Sequence, residues 1–185
     1  MPVLNDFYLV DGTALALHYG HQVSVDLDFF TDKEFDTNTL IDSLKEKYSI
    51  GILSQIKNMV ILNIRSVKTD FIRHNYPLLK SIQVNEGIRM VSVEDIAAMK
   101  LNSIMNRGSK KDFYDIYELL IHFTLPELIS FHASKYDFSS QLILPKSLVY
   151  YQDAELEPDS VSVKQTDWSS VKQKISERVS SFSKR

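Results

Sequence analysis

SVDLDFF, at residues 24–30, has the composition of a buried β-strand except for its two carboxylates. Asp is depleted in strands and is rarely buried without a partner, so the two acids need an explanation. Because residues i and i+2 of a strand point to the same face, we expect Asp26 and Asp28 to project side by side. Two carboxylates this close repel each other and raise one pKa unless a cation lies between them. The pattern therefore indicates a divalent-metal site, with Mg²⁺ as the natural ion because it takes oxygen ligands, or the solvated face of an edge strand, or two cap residues at a strand end.

A strand, a turn and a short helix precede the acidic strand. The run FYLV at residues 7–10 predicts a strand that ends at the turn signal Asp11-Gly12, and TALALHYG then predicts a helix closed by Gly20. Gly12 and Thr13 would therefore stand at a helix N-terminus, where free N–H groups and the positive end of the dipole favour phosphate. The signal is weak alone, since any turn of this kind could supply it. Its place shortly before the acids makes it informative.

A third acid, Asp70, lies in the next part of the chain. The sequence predicts a helix over residues 36–48, a hairpin over residues 49–72 whose second arm forms two strands or one bent strand, and a short strand over residues 88–92. If the strand of Asp70 neighbours the acidic strand, the three carboxylates form a cluster of the kind that holds metals for phosphoryl chemistry. Taken alone, Asp70 is an ordinary surface acid.

After residue 92 the composition changes to helices. We therefore predict an α+β core at residues 1–92 and a helical region at residues 93–185. Within the second half, helices are predicted over residues 93–106, 109–123, 125–136 and 140–151, followed by a polar linker over residues 153–166 and an amphipathic helix over residues 167–182.

Charged residues break the amphipathic pattern of the first two of these helices. Lys100 falls inside the apolar stripe of its helix, so it either extends its amine out to solvent or reaches a buried anion. The next helix carries Asp112, Lys111 and Asp115. The spacing of Lys111 and Asp115 predicts an i,i+4 ion pair on a solvated surface.

The composition excludes several classes of protein. The formal net charge of −3 leaves no overall electrostatic attraction for nucleic acid or membrane, and the lack of cysteine excludes disulfides, thiolate metal sites and cysteine nucleophiles. The N-terminus has no signal-peptide pattern and no apolar run reaches the roughly 20 residues that span a bilayer, so we expect a cytoplasmic protein without a membrane partner. Walker A, G-x-S-x-G, G-x-G-x-x-G and kinase signatures are absent from the sequence.

The chain resembles DNA polymerase β-like nucleotidyltransferases, and more specifically the AbiEii/AbiGii-type nucleotidyltransferase toxin family. The resemblance is carried by residues 7–30 (FYLVDGTALALHYGHQVSVDLDFF), by VKTDFI at residues 67–72, by residues 92–120 and by residues 149–175. It implies a mixed sheet with flanking helices, followed by a C-terminal helical region. It also implies the toxin of a toxin–antitoxin or abortive-infection system, which transfers a nucleotide from an NTP to a tRNA 3′ end or a protein and has a cognate antitoxin protein as partner.

The resemblance also assigns roles to individual residues. It implies that the cofactor is Mg²⁺, and that one helical lysine reaches the nucleotide phosphates. The implied metal ligands are Asp26, Asp28 and Asp70, the implied catalytic residues are these three with Lys100, and the implied nucleotide-binding residues are Gly12, Thr13, Ser24, Lys100, Asp112 and Asp115.

Two positions differ from the family pattern. Asp11 replaces the first glycine of a Gly-Gly-Thr turn, and Gln22 stands where a basic residue commonly follows the histidine. These differences keep a second hypothesis open, a catalytically weakened nucleotide- or partner-binding module on the same fold. A third hypothesis is a metal-dependent nuclease that uses the same carboxylates.

Overall fold

A seven-stranded mixed sheet organises the first half of the chain. The computed structural model describes residues 1–136, 143–158 and 163–184, and within them the strand order is β3-β4-β5-β2-β1-β7-β6. The strands are β1 (Tyr8–Val10), β2 (Leu27–Thr31), β3 (Ile50–Ile56), β4 (Met59–Ile64), β5 (Val67–Arg73), β6 (Gln83–Asn85) and β7 (Ile88–Met90).

Helices flank the sheet and make up most of the second half. A 3-10 turn at Pro2–Leu4 precedes them. The helices are α1 (Asp11–Tyr19), α2 (Thr37–Lys45), α3 (Val93–Asn106), α4 (Lys110–His122), α5 (Leu125–Lys135), α6 (Leu144–Ser147), α7 (Gln152–Glu155) and α8 (Trp168–Ser183). No helix in the described ranges is long and apolar enough to cross a membrane. The predicted α+β fold class is confirmed.

The acidic strand lies in the middle of the sheet. β2 pairs antiparallel with β1 on one side and parallel with β5 on the other, so both its edges are hydrogen-bonded. This register places Asp28 directly opposite Asp70. The alternative interpretation, that SVDLDFF is an edge strand with a solvated face, is therefore wrong.

Two hydrophobic clusters cover the sheet. One joins the face of β4 and β5 to α2, where Phe71 and Leu62 are buried against Leu40 and Leu44. The other packs β1, β7 and α1 against the helices of the second half, with Phe113 and Ile96 fully buried. Because neighbouring residues of a strand point to opposite faces, the burial of Phe71 under α2 directs Asp70 to the other face, toward α1 and α3.

Several element bounds differ from the sequence prediction. SVDLDFF forms a strand only from Leu27 onward, and the long arm of the hairpin is two strands, β4 and β5. β6, which has three exposed residues, was not predicted. A helix was predicted over residues 140–151. Its first part, residues 140–142, lies outside the described residues, and the rest contains only the short helix α6. The predicted polar linker includes the end of α7, and its residues 159–162 lie outside the described ranges.

The proposed boundary at residue 92 coincides with a change of architecture. All seven described strands precede it, and α3 to α8 follow it. However, α3 packs against α1 and α4 also contacts α1, so the two halves share the large hydrophobic cluster. The division into two domains therefore stays a prediction.

Candidate active site

The paired acids Asp28 and Asp70 form the centre of the site. They are register partners on the parallel strands β2 and β5. One oxygen of Asp70, Oδ2, accepts a hydrogen bond from Lys68 Nζ at 2.8 Å, while Oδ1 is buried and has no hydrogen-bond partner in the described structure. Burial first, and then the nearby carboxylates of Asp11 and Asp70, raise the pKa of Asp28 to about 6. The pair thus carries more negative charge than its protein surroundings compensate.

Asp26 does not share the strand with Asp28. It precedes β2, and its backbone carbonyl accepts a hydrogen bond from the hydroxyl of Thr13 in α1. The same hydroxyl lies 2.6 Å from Ser24 Oγ, so Thr13 fastens the first turn of α1 to the approach to β2. The side chain of Asp26 lies 3.9 Å from Lys111 Nζ. The prediction that the two acids are adjacent on one strand is therefore wrong, because the backbone before Leu27 bonds to α1 instead of the sheet.

Lys100 is fully buried and surrounded by carboxylates. Its Nζ lies 2.6 Å from Asp11 Oδ1, 2.7 Å from Asp115 Oδ2 and 2.9 Å from Asp112 Oδ1. Burial alone would lower the pKa of Lys100, but these three acids outweigh it and raise the pKa well above its ordinary value. Of the two alternatives left open by the sequence, Lys100 therefore reaches a buried anion. We call Lys100 with Asp11, Asp112 and Asp115 the Lys100 ion cluster.

The acids of α4 are buried instead of solvated. Asp115 accepts a hydrogen bond from Gln22 Nε2 at 2.7 Å and lies 2.7 Å from His21 Nε2, while Asp112 accepts one from Ser109 Oγ at 2.6 Å. The predicted surface pair between Lys111 and Asp115 is wrong, since Asp115 faces inward to Lys100. Gln22 thus acts as a neutral donor to the cluster, a contact that no local sequence signal indicated.

Asp11 is the only described member of the cluster with partial exposure. It is the first residue of α1 and has φ +59°, a left-handed conformation that glycine adopts most easily and Asp tolerates. Its side chain is 24% exposed. Burial raises the pKa of Asp11, but the attraction of Lys100 outweighs this and lowers it below the ordinary value. Asp11 therefore does not point away from the site but is held by Lys100 beside Asp28.

Gly12 packs directly on the cluster. A Cβ at this position would lie 3.5 Å from Gln22 Nε2, 3.6 Å from Asp115 Oδ2 and 3.8 Å from Lys100 Nζ. These are ordinary contact distances, so a side chain here would fill the remaining space between α1 and the buried charges. The predicted residues Gly12, Asp28 and Lys100 are thus brought together, with Asp11, at the N-terminus of α1.

The donor set suits a divalent cation, although the predicted three-acid group is not assembled. Within residues 1–136, 143–158 and 163–184, no group of three or more His, Cys, Asp or Glu side chains is placed to hold a metal ion. Asp28 and Asp70 nevertheless offer carboxylate oxygens, one of them buried and unpartnered, which is the chemistry that Mg²⁺ prefers. The residues present therefore fit a Mg²⁺ ion held by two carboxylates and by phosphate oxygens.

Comparison with known proteins places the chain in a family. Residues 47–183 match the family model described as the nucleotidyl transferase AbiEii toxin of a type IV toxin–antitoxin system. The chain belongs to the AbiEii nucleotidyltransferase toxin family. By family it is thus a nucleotidyltransferase, and the resemblance stated from the sequence is confirmed. The matched range includes Asp70, Lys100 and the acids of α4, while Gly12 and Asp28 precede it.

Other known proteins share the sequence or the fold. An uncharacterised protein of Aquifex aeolicus, aq_aa25, is 41% identical over 164 residues, which cover 84% of this chain and 78% of that protein. The crystal structure of JHP933 from Helicobacter pylori is 23% identical with a TM-score of 0.61, covering 98% of this chain and 85% of that one. MenT4, a nucleotidyltransferase toxin of Mycobacterium tuberculosis, is 13% identical with a TM-score of 0.61, covering 98% and 76%. At these identities the two structures show a shared fold.

Proposed function

We propose that the chain is a Mg²⁺-dependent toxin that transfers a nucleotide from an NTP to the 3′ end of an RNA such as tRNA, or to a protein. The observation that carries this proposal is the in-register pair Asp28–Asp70, with its unpartnered buried oxygen, beside the N-terminus of α1. The type IV toxin–antitoxin description of the family supports a cognate antitoxin as partner.

The roles of the residues follow from their positions. Asp28 and Asp70 would hold Mg²⁺, with Asp26 as a third ligand when its side chain leaves Lys111. When bound, the ion would supply positive charge to the phosphates and to the attacking oxygen. The backbone N–H groups at Gly12 and Thr13 would bind phosphate oxygens, because the N-terminus of α1 carries the positive end of the helix dipole.

The reaction would be an in-line displacement at the α-phosphorus. The acceptor hydroxyl oxygen forms a bond to phosphorus, the bond to the bridging oxygen breaks, pyrophosphate leaves and the hydroxyl proton passes to solvent. Lys100 is already surrounded by three carboxylates, so it would approach the phosphates only as Asp11 releases it. Asp112 and Asp115 would then keep the amine in place. Ser24 would hold Thr13 in position through their contact at 2.6 Å.

The proposal is tested by RNA extension. The purified chain is incubated with Mg²⁺, total tRNA and one α-labelled NTP at a time, and the products are separated on a denaturing gel. We expect labelled, extended RNA with the wild type and none with Asp28→Asn or Asp70→Asn. Asp42→Asn, an exposed acid on α2, is the matched control and should retain full activity. Equal labelling by all variants, or shortened RNA as a nuclease would produce, would overturn the proposal.

The Asp11–Lys100 contact favours a second candidate function. If Lys100 stays paired with Asp11, the same fold binds a nucleotide or a partner without turnover. Calorimetry with NTP and Mg²⁺, performed on the preparation used for the gel, separates the two functions. Binding without any labelled product supports the binding module, whereas turnover rejects it.

A further inference from the structure

A cavity lies along the acidic face of β2 and reaches Asp11 of the Lys100 ion cluster. Its volume is about 240 Å³, and Asp11 and Asp28 line it. Phe30 lies two residues after Asp28 and so lines the same face of the strand. Met99, Asn102 and Ser103 of α3 also line the cavity. A ligand in this cavity would therefore contact the site where the reaction is proposed to occur.

Aromatic rings line the cavity beside the carboxylates of Asp11 and Asp28. The rings of Phe30 and His74 are stacked, with centroids 4.9 Å apart, and the hydroxyl of Tyr136 lies 3.2 Å from His74 Nε2. Burial first, and then the positive charge of Lys135, lower the pKa of His74 to about 4. The imidazole is therefore neutral near pH 7. Flat, uncharged rings of this kind are the surface on which nucleobases stack.

The helix side of the cavity offers free polar groups. Asn102 and Ser103 of α3 line it, and in the described ranges no residue hydrogen-bonds to the side chain of either one. An amide and a hydroxyl supply both donors and acceptors, as the edge of a base requires. Arg107, at the end of α3, also lines the cavity and adds positive charge. Aromatic rings and hydrogen-bonding groups thus line the same cavity.

We propose that this cavity, which we call the base cavity, binds a nucleobase next to Asp28. The inference rests on the proposed function and names the part of the nucleotide that the chain would recognise. The base can belong to the donor NTP or to the terminal nucleoside of the acceptor. With the phosphates at the N-terminus of α1, the base cavity adjoins the phosphate site, because Asp11, the first residue of α1, also lines the cavity.

The test separates the base from the phosphates. Calorimetry in Mg²⁺ compares the four NTPs with inorganic tripolyphosphate, which has the phosphates but no base, and with a short RNA oligonucleotide. Ser103→Leu fills the cavity and Asn102→Ala removes its amide. Ser130→Leu, at an exposed position of α5, is the matched control, and thermal unfolding checks that each variant folds.

We expect both cavity variants to weaken NTP binding by about tenfold and to leave tripolyphosphate binding unchanged. A selective loss of RNA binding supports the base cavity with the acceptor as the source of the base. If both cavity variants bind NTP and RNA as tightly as the wild type does, the base cavity is overturned. It is also overturned if the wild type binds NTP and tripolyphosphate equally and the cavity variants bind RNA as tightly as the wild type does. None of these results alters labelled transfer by the wild type, so failure of the base cavity is distinguishable from failure of the proposed function.

Discussion

Replacing Asp11 by glycine is expected to strengthen NTP–Mg²⁺ binding by about tenfold or more. Asp11 places a carboxylate 2.6 Å from Lys100, at the helix N-terminus where the phosphates would bind. In Asp11→Gly, Asp112 and Asp115 still neutralise Lys100, and the charge of the cluster falls from −2 to −1. Two unit charges 4 Å apart interact by about 4 kcal/mol at an effective dielectric of about 20. A third of that energy, about 1.4 kcal/mol, already gives a tenfold change in affinity.

The fold should tolerate this substitution. The left-handed conformation at φ +59° costs an L-residue roughly 1 kcal/mol, which glycine avoids. The lost ion pair is partly exposed and so contributes on the order of 1 kcal/mol. The two effects oppose each other, and we expect the free energy of unfolding to change by less than about 1 kcal/mol.

Titration calorimetry with each NTP in Mg²⁺ measures the change. Asp11→Asn, which removes the charge but keeps the shape, should give most of the gain. Glu86→Gly is the matched control, since it also removes one negative charge at a positive φ, of 49°, in the exposed turn between β6 and β7. If Asp11→Gly binds NTP no more tightly than the wild type, or no more tightly than Glu86→Gly, Asp11 does not oppose the phosphates.

Three other substitutions test the charges and contacts around the site. Lys100→Met leaves three carboxylates without their buried cation and should lower the free energy of unfolding by about 3–5 kcal/mol in urea titrations; a loss under about 1 kcal/mol would contradict the ion cluster. The contribution of His74 to stability should fall by up to about 3 kcal/mol as pH drops from 6.5 to 4, because the unfolded state protonates His74 before the folded state does; Asp28, with its raised pKa, acts in the opposite sense, so the His74 contribution is measured as the difference between the wild type and His74→Phe. His74→Phe should lose measurably less over that range, and an identical pH profile would show that His74 does not titrate in this way. Thr13→Val should cost about 1 kcal/mol and speed amide exchange at residues 24–26, and unchanged exchange would show that the hydroxyl does not hold this segment.

Local signals account for what the sequence predicted well. The turn after β1, the helix that follows it and the bounds of α3 depend on neighbouring residues, such as Gly20 in its left-handed cap. The position of Asp70 on a strand was also predictable from alternation. Its pairing with Asp28 was not, because the register depends on how β2 and β5 meet across a long stretch of intervening chain.

The Lys100 ion cluster could not be predicted from the local sequence pattern. Its acids come from α1 and α4, and only the packing of these helices on α3 brings them to one amine. The i,i+4 spacing of Lys111 and Asp115 favoured a surface pair, and tertiary burial prevailed over that preference. Asp26 was misplaced for a similar reason, since the hydroxyl of Thr13 holds its carbonyl outside the sheet.

The position of the transferred phosphorus tests the central claim most directly. Two parallel reactions contain Mg²⁺ and the same acceptor, one with α-labelled and one with γ-labelled NTP. The account predicts that α-label becomes covalently attached to the acceptor while γ-label leaves in pyrophosphate, and that Asp28→Asn and Asp70→Asn abolish both signals. Attachment of γ-label, or α-label transfer that both variants retain, would contradict nucleotidyl transfer at the Asp28–Asp70 pair.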